Sequence, residues 1–169
     1  MRAVRICGSR SGGFTLIELV IGMMVLAVAL MMLATMLFPQ ADRAADTLYR
    51  VRSAELGHSV MNEIWGKRYD DNTDANGGTP CGTGRLPACT TTPGPEAGEN
   101  RNDWDDIDDY NGMNQHSLML DSTQTYADIY PGYGLQVTVT SGDVTRLISV
   151  TVTTPAGEAI SFNGVRSNY

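Results

Sequence analysis

Three sets of side chains in this sequence have the types and spacing to do chemistry. Glu18 is the only charge between Arg10 and Asp42. A carboxylate at the centre of a membrane helix costs about 2.5–3.5 kcal/mol on insertion scales, so one retained in an apolar run calls for a pairing partner. Cys81 and Cys89 form a close pair in a polar stretch. In an oxidising compartment such a pair is expected to bridge. A C-x7-C spacing without a nearby histidine is poor for zinc, and His58 and His116 lie far away in sequence. Finally, Asp103, Asp105, Asp106, Asp108 and Asp109 crowd seven residues. Five like charges so close are either solvated or bridged by a cation. Upstream, Asn72-x-Asp74-x-Asn76-Gly77 has the alternating oxygen ligands and bend glycine of half a calcium loop. The bidentate acid that should follow is absent, because Thr83 occupies its place. A solvated acidic loop is the plainer reading, and a Ca2+ site the sharper one.

The elements that must position these groups can be read from the pattern. From Phe14 to Phe38 run 25 residues with one charge. As a helix they span roughly 37 Å, more than the ~30 Å hydrocarbon core. Arg2, Arg5 and Arg10 precede the run with no acid among them, which places the N-terminus in the cytoplasm and the remainder across the membrane. A secretory signal would be shorter and end in a small-residue cleavage site. Pro39 should kink or break the helix. Beyond it, Ala41, Ala44, Ala45, Leu48, Val51, Met61, Ile64 and Trp65 fall near one stripe. Asp46 with Arg50 and Glu63 with Lys67 are acid-before-base at i, i+4 on the other side. One long helix over about 14–68 is expected, with the methionines of its first half as packing residues.

Residues 69–112 are rich in Gly, Pro, Asn and Asp and poor in aliphatics, and read as a long loop. Residues 111–121 suit a short helix. The period then falls to two. Leu135, Val137 and Val139 alternate with polar residues, as do Ile148, Val150 and Val152, and Ile160 and Phe162 continue one face. Turns at Ser141-Gly142-Asp143 and Pro155-Ala156-Gly157 make this an antiparallel meander. The sheet needs an apolar cover, which the helix stripe supplies.

A short basic leader, the junction Gly13-Phe14, then Thr15-Leu16-Ile17-Glu18 and a long apolar helix resemble the N-terminus of type IV prepilins and type II secretion pseudopilins. The resemblance implies an α+β, pilin-like fold in which a transmembrane and filament-core helix packs on a small antiparallel sheet. It implies a leader, 1–13, removed by a prepilin peptidase after Gly13, and N-methylation of Phe14. It also implies that Glu18 pairs with the N-terminal amine of a neighbouring subunit. Residue 12 is Gly, where the family often has a basic residue. The domain boundaries that follow are 1–13, a membrane helix 14–38 and a periplasmic domain 39–169. Within that domain lie the amphipathic helix 39–68, the loop 69–112 and the strands 134–166. Some pseudopilins bind calcium in loops, which is the precedent for the five aspartates. Pilins often carry their disulfide near the C-terminus, so a bridge between Cys81 and Cys89 departs from the common pattern.

The segments "FPQADRAADTLYRVRSAELGHSVMNEIWGKRYDDN" and "GPEAGENRNDWDDIDDYNG" and the terminal "RSNY" are similar to minor subunits of mannose-sensitive haemagglutinin (MSHA) pili. The implied partners are other pilin or pseudopilin subunits, the peptidase and an inner-membrane assembly platform. The implied location is the inner membrane, then the filament. Two other readings stand beside it: a type II secretion pseudopilin, and a monomeric, signal-anchored periplasmic binding module. The net charge of −7 argues against a nucleic-acid partner. There is no phosphate loop, nucleophile elbow or His-Glu-x-x-His, so an enzyme is not expected.

Overall fold

The computed structural model describes residues 12–74, 79–141 and 144–168, with only the backbone described at Phe38, Pro39, Ala41 and Asp42. The arginines of the leader, Asn76, Gly77, Gly142 and Asp143 therefore lie outside the described residues. The architecture is α+β: one long N-terminal helix, a long connection, and a three-stranded antiparallel sheet, consistent with a pilin-like fold. Helix α1 covers Leu16–Trp65, 50 residues. Of the kink or break expected at Pro39, the break is not found, since the helix continues through it. Proline removes a single N–H, and the hydrogen-bond ladder can resume beyond it. The chain divides into one compact unit up to Ala44 and another from Ala45 onward.

In the first unit, α1 is an apolar rod. Leu16–Leu37 has a mean hydropathy of 2.7, and none of it is buried. Leu16, Met23, Met24, Met31 and Met36 are all exposed. These 22 residues would span about 33 Å as a helix, enough to cross a bilayer.

In the second unit the sheet has strand order β1-β2-β3, with β1 Gly134–Ser141, β2 Thr145–Thr153 and β3 Ala159–Ser167. Register places Val137 opposite Val150 and Val150 opposite Phe162. The alternation of β-branched and polar residues puts Leu135, Val137, Val139, Ile148, Val150 and Val152 on one buried face. The second turn closes as read from the sequence: Gly157 adopts φ +85° and its N–H donates to Thr154 O at 2.8 Å.

The helical stripe covering that face differs from the expected one. Ser53, Leu56, Gly57, Val60, Met61 and Ile64 are buried, whereas Leu48 and Val51 are each 60% exposed. Alanines and isolated aliphatics match a helical period on more than one face, and the sheet selects the face with small residues. Gly57 lets the Phe162 ring pack against the helix, because a Cβ there would lie 2.3 Å from the ring.

The two local ion pairs expected on α1 also give way to long-range partners. Arg50 pairs with Glu158 at 2.8 Å, and Glu63 pairs with Arg101 at 2.5 Å. Lys67 donates to the Trp104 carbonyl. A half-buried carboxylate gains more from a buried guanidinium than from a solvated ammonium one turn away.

The connection 66–133 contains, among the described residues, a 3-10 turn at Asp108–Tyr110 and a short helix α2, Tyr126–Ile129. A capping box between Thr125 and Asp128 starts α2. The short helix expected over 111–121 is replaced by turns and two isolated bridges, Asn114 with Gln136 and Leu118 with Thr125. Gly112, at φ +87°, turns the chain out of any helix there. The connection is nevertheless packed: Tyr69, Ile107, Tyr110, Met113, Tyr126 and Tyr133 join the hydrophobic core.

Candidate functional site

Two places carry the candidate functional side chains. The first is the start of α1. Gly13 precedes the helix and is exposed, and Phe14 is 82% exposed. The Glu18 N–H donates to Thr15 Oγ1 at 3.3 Å, and the Leu19 N–H donates to the Thr15 carbonyl at 3.2 Å. Thr15 therefore caps the helix, which leaves Gly13-Phe14 ahead of it, outside the helix. Glu18 falls in the first turn, where the positive end of the helix dipole favours a carboxylate. The lone acid is thus favourably placed within its own helix as well as available to a cationic partner.

The second place is the acid-rich connection. The five aspartates do not converge on one point. The Asp103 carboxylate accepts from the Asn100 N–H at 3.1 Å and closes a local turn. Asp105 pairs with Arg68. Asp106, fully buried, accepts from the N–H groups of Asp71 (2.7 Å), Asp108 (2.8 Å) and Asp109 (3.3 Å). Asp108 pairs with Arg146. Asp109 Oδ2 accepts from the N–H groups of Asp105 (2.9 Å) and Asp106 (3.1 Å).

Arg146 is the centre of this arrangement. Its side chain is 1% exposed and pairs with Asp70 and Asp108, both fully buried. It also donates to the carbonyls of Tyr69 (2.6 Å) and Thr90 (3.2 Å) and lies over the Tyr69 ring at 4.8 Å. Asp70 Oδ2 additionally accepts from the Thr90 N–H at 2.7 Å. The oxygens of Asp70, Asp106 and Asp108 lie close enough to hold a metal, but a guanidinium already neutralises two of them. Burial raises Asp108 to about 8, with Asp106 adding to the shift and Arg146 opposing it. Asp106 is raised for the same first reason.

A second knot ties the connection to α1. Glu63 accepts from Arg101 (2.5 Å) and from the Tyr110 hydroxyl (2.6 Å). Arg101 stacks over Trp104 at 4.6 Å and Tyr110 at 5.2 Å. Burial, then the Glu63 carboxylate, push the Tyr110 phenol up.

Cys81 and Cys89 form a disulfide with a Cα–Cα distance of 5.1 Å. Asn168 Nδ2 donates to the Cys81 carbonyl at 3.1 Å and to Cys89 Sγ at 3.2 Å. The bridged loop is thereby fastened to the residue following β3.

Arg146 was legible and missed. It occupies an inward position of β2, in step with Ile148, Val150 and Val152. A charge at such a position requires buried counter-charges, and the sequence offers many.

The buried ion pairs and the disulfide fix the connection, and among the described residues no nucleophile–base pair is assembled. Comparison with curated proteins and with solved structures finds no match. Residues 8–34 match the family model described as the prokaryotic N-terminal methylation motif. The chain thus carries a type IV pilin-like class III signal on a membrane-anchoring helix, a signature that indicates a structural subunit processed by a prepilin peptidase and assembled with other pilin subunits.

Proposed function

We propose that this chain is a minor subunit of a type IV pilus of the MSHA type, contributing to pilus initiation and surface attachment. The observation that carries this reading is the methylation motif over residues 8–34, with Gly13, Phe14 and Glu18 inside it. In this reading the peptidase removes residues 1–13 and methylates the Phe14 amine. Residues 14–38 lie first in the inner membrane and then in the filament core. Residues 39–169 fold in the periplasm. The position of Gly13-Phe14 ahead of the helix supports the assignment, because a peptidase needs an unfolded segment at its cut site. An amine released at Phe14 has an ordinary pKa near ~8 and is mostly cationic at neutral pH. Glu18 of a second subunit is its counter-charge, and the pair offsets the expense of burying either ion alone.

Mass spectrometry of the mature N-terminus from the native host tests the proposal. A methylated Phe14 is expected, with the leader retained when the prepilin peptidase is deleted. A chain that begins at Met1 in the parent strain would overturn it. The same motif opens type II secretion pseudopilins. Recovery in sheared surface filaments assigns the chain to a pilus. Loss of exoprotein secretion on deletion, with no filament recovery, assigns it to the secretion system.

A further inference from the structure

Glu96, Glu99 and Asp109 each bring one carboxylate oxygen within 4.8 Å of the others. Asp109 is 1% exposed, its buried Oδ1 has no N–H or hydroxyl donor, and the carboxyls of Glu96 and Glu99 crowd within hydrogen-bonding range of the Asp109 side chain. Leaving a buried carboxylate oxygen without a partner is costly, and such a group in a folded protein calls for an occupant. Among the described residues no arginine or lysine forms an ion pair with it. The acids of the ion pairs there are Glu158, Asp71, Asp105, Glu63, Asp70 and Asp108, none of them a member of this triad.

The triad is built from two directions. Asp109 Oδ2 is fixed by the N–H groups of Asp105 and Asp106, which orients the carboxylate beside the two glutamates. Glu96 and Glu99 belong to one tight turn, where Glu99 Oε2 accepts from the Glu96 N–H at 3.2 Å and the Glu99 N–H donates to the Glu96 carbonyl at 3.2 Å. Asn111 holds this loop in place by donating to the Pro93 carbonyl at 3.2 Å.

We propose that Glu96, Glu99 and Asp109 bind a divalent cation of the calcium class. The donor set is all carboxylate oxygen, which selects hard cations over zinc or copper. Three protein carboxylates gathered within reach of one ion suit calcium, which takes many protein oxygens in flexible geometry, better than magnesium, which keeps several waters and is held by one or two carboxylates. Both glutamates are half-buried rather than sealed, so water completes the coordination. The ion would clip the loop around Glu96 to the turn that carries Asp109. Of the five clustered aspartates only Asp109 takes part, and the two other ligands come from outside that run. The site stands independently of the pilus reading.

The experiment uses the full chain in detergent, freed of metal with chelator. Radioactive Ca2+ binding by equilibrium dialysis and the thermal transition by tryptophan fluorescence are read together. One Ca2+ per chain is expected at about 1 mM, the affinity range of extracellular modules, with a raised transition temperature. Glu96→Gln and Glu99→Gln keep the size of each ligand and avoid the buried Asp109, so the variants fold. Each should weaken binding about tenfold or more, as expected when a site loses a charged ligand. Glu158→Gln, in the Arg50 pair, should bind as the parent does. Absence of bound Ca2+ at several times that concentration, or equal weakening in all three variants, would overturn the site.

Discussion

Arg146 and Asp70 form an ion pair in which neither side chain is more than 1% exposed. With Asp108 on the other side of the guanidinium, this pair joins β2 to both ends of the acidic connection. Removing the cation leaves buried carboxylates unpaired, which is far more costly than the pair itself is stabilising. Arg146→Met is therefore expected to destabilise the chain by about 3–5 kcal/mol, read as a shift of the urea midpoint in detergent. Arg146→Lys should recover only part of this, because an ammonium cannot reach both carboxylates and the Tyr69 and Thr90 carbonyls together. A loss below about 1 kcal/mol for the Met variant would mean that these acids are neutral in the fold.

Stability should also depend on pH in a specific direction. Asp71 is raised to about 6, first by burial and then by Asp105 and Asp106, with Arg68 opposing. Glu96 is raised to about 7, first by burial and then by Asp109, with Asp71 adding to the shift. A raised carboxyl binds its proton more tightly in the folded chain than in the unfolded one. Its contribution is present at low pH and is lost as pH rises through the folded pKa. The thermal transition, measured in chelator, should therefore fall from about pH 4.5 to about pH 8, the upper part carried by Asp108, and level off above. A transition that climbs through this window would contradict these shifts.

The disulfide closes a loop with a sequence separation of 8, worth about 2.5 kcal/mol in the chain-entropy model. The Cys81→Ser, Cys89→Ser double variant should lose roughly that amount and free Asn168, which loosens the end of β3. Hydrogen exchange at the last residues of β3 reads the second effect. Unchanged protection there would show that β2 alone holds the strand.

A methyl group at Gly57 would meet the Phe162 ring at 2.3 and 2.4 Å. Overpacking costs about 1–3 kcal/mol, while alanine gains up to about 1 kcal/mol over glycine in a helix. Gly57→Ala should therefore lose about 1 kcal/mol net, recovered in part by adding Phe162→Leu. A Gly57→Ala chain more stable than the parent would mean that the ring moves aside freely.

On the proposed filament reading, Glu18→Val should leave membrane insertion intact and impair incorporation into filaments. Membrane fractionation beside sheared-filament recovery separates the two effects. Normal incorporation would remove the proposed pairing with the Phe14 amine.

The parts of the fold that repeat a period were legible. The three strands follow from the alternation at Leu135–Val139 and Ile148–Val152, and the long helix from its apolar run. The helical face was harder. Leu48 and Val51 share a helical period with the buried residues, and only the partner sheet decides that Ser53 and Gly57 go inside. The connection was least legible, because its order comes from side chains that meet across long sequence separations. Glu63 with Arg101, and Arg146 with Asp70, have no local signature. The capping box of Thr125 and Asp128 did have one, in the Thr-x-x-Asp spacing ahead of α2. The acid cluster was visible as charge, but its division among Arg68, Arg146, backbone amides and the Glu96–Glu99 turn is a property of the folded connection.

Placing the neutralising guanidinium on β2 sets an order of events during synthesis. Asp70 and Asp108 are made before Arg146, so a chain halted short of β2 keeps two acids without the cation that they are buried against. The long connection can lock only once the second strand has been made, which ties the closing of the fold to the position of one arginine.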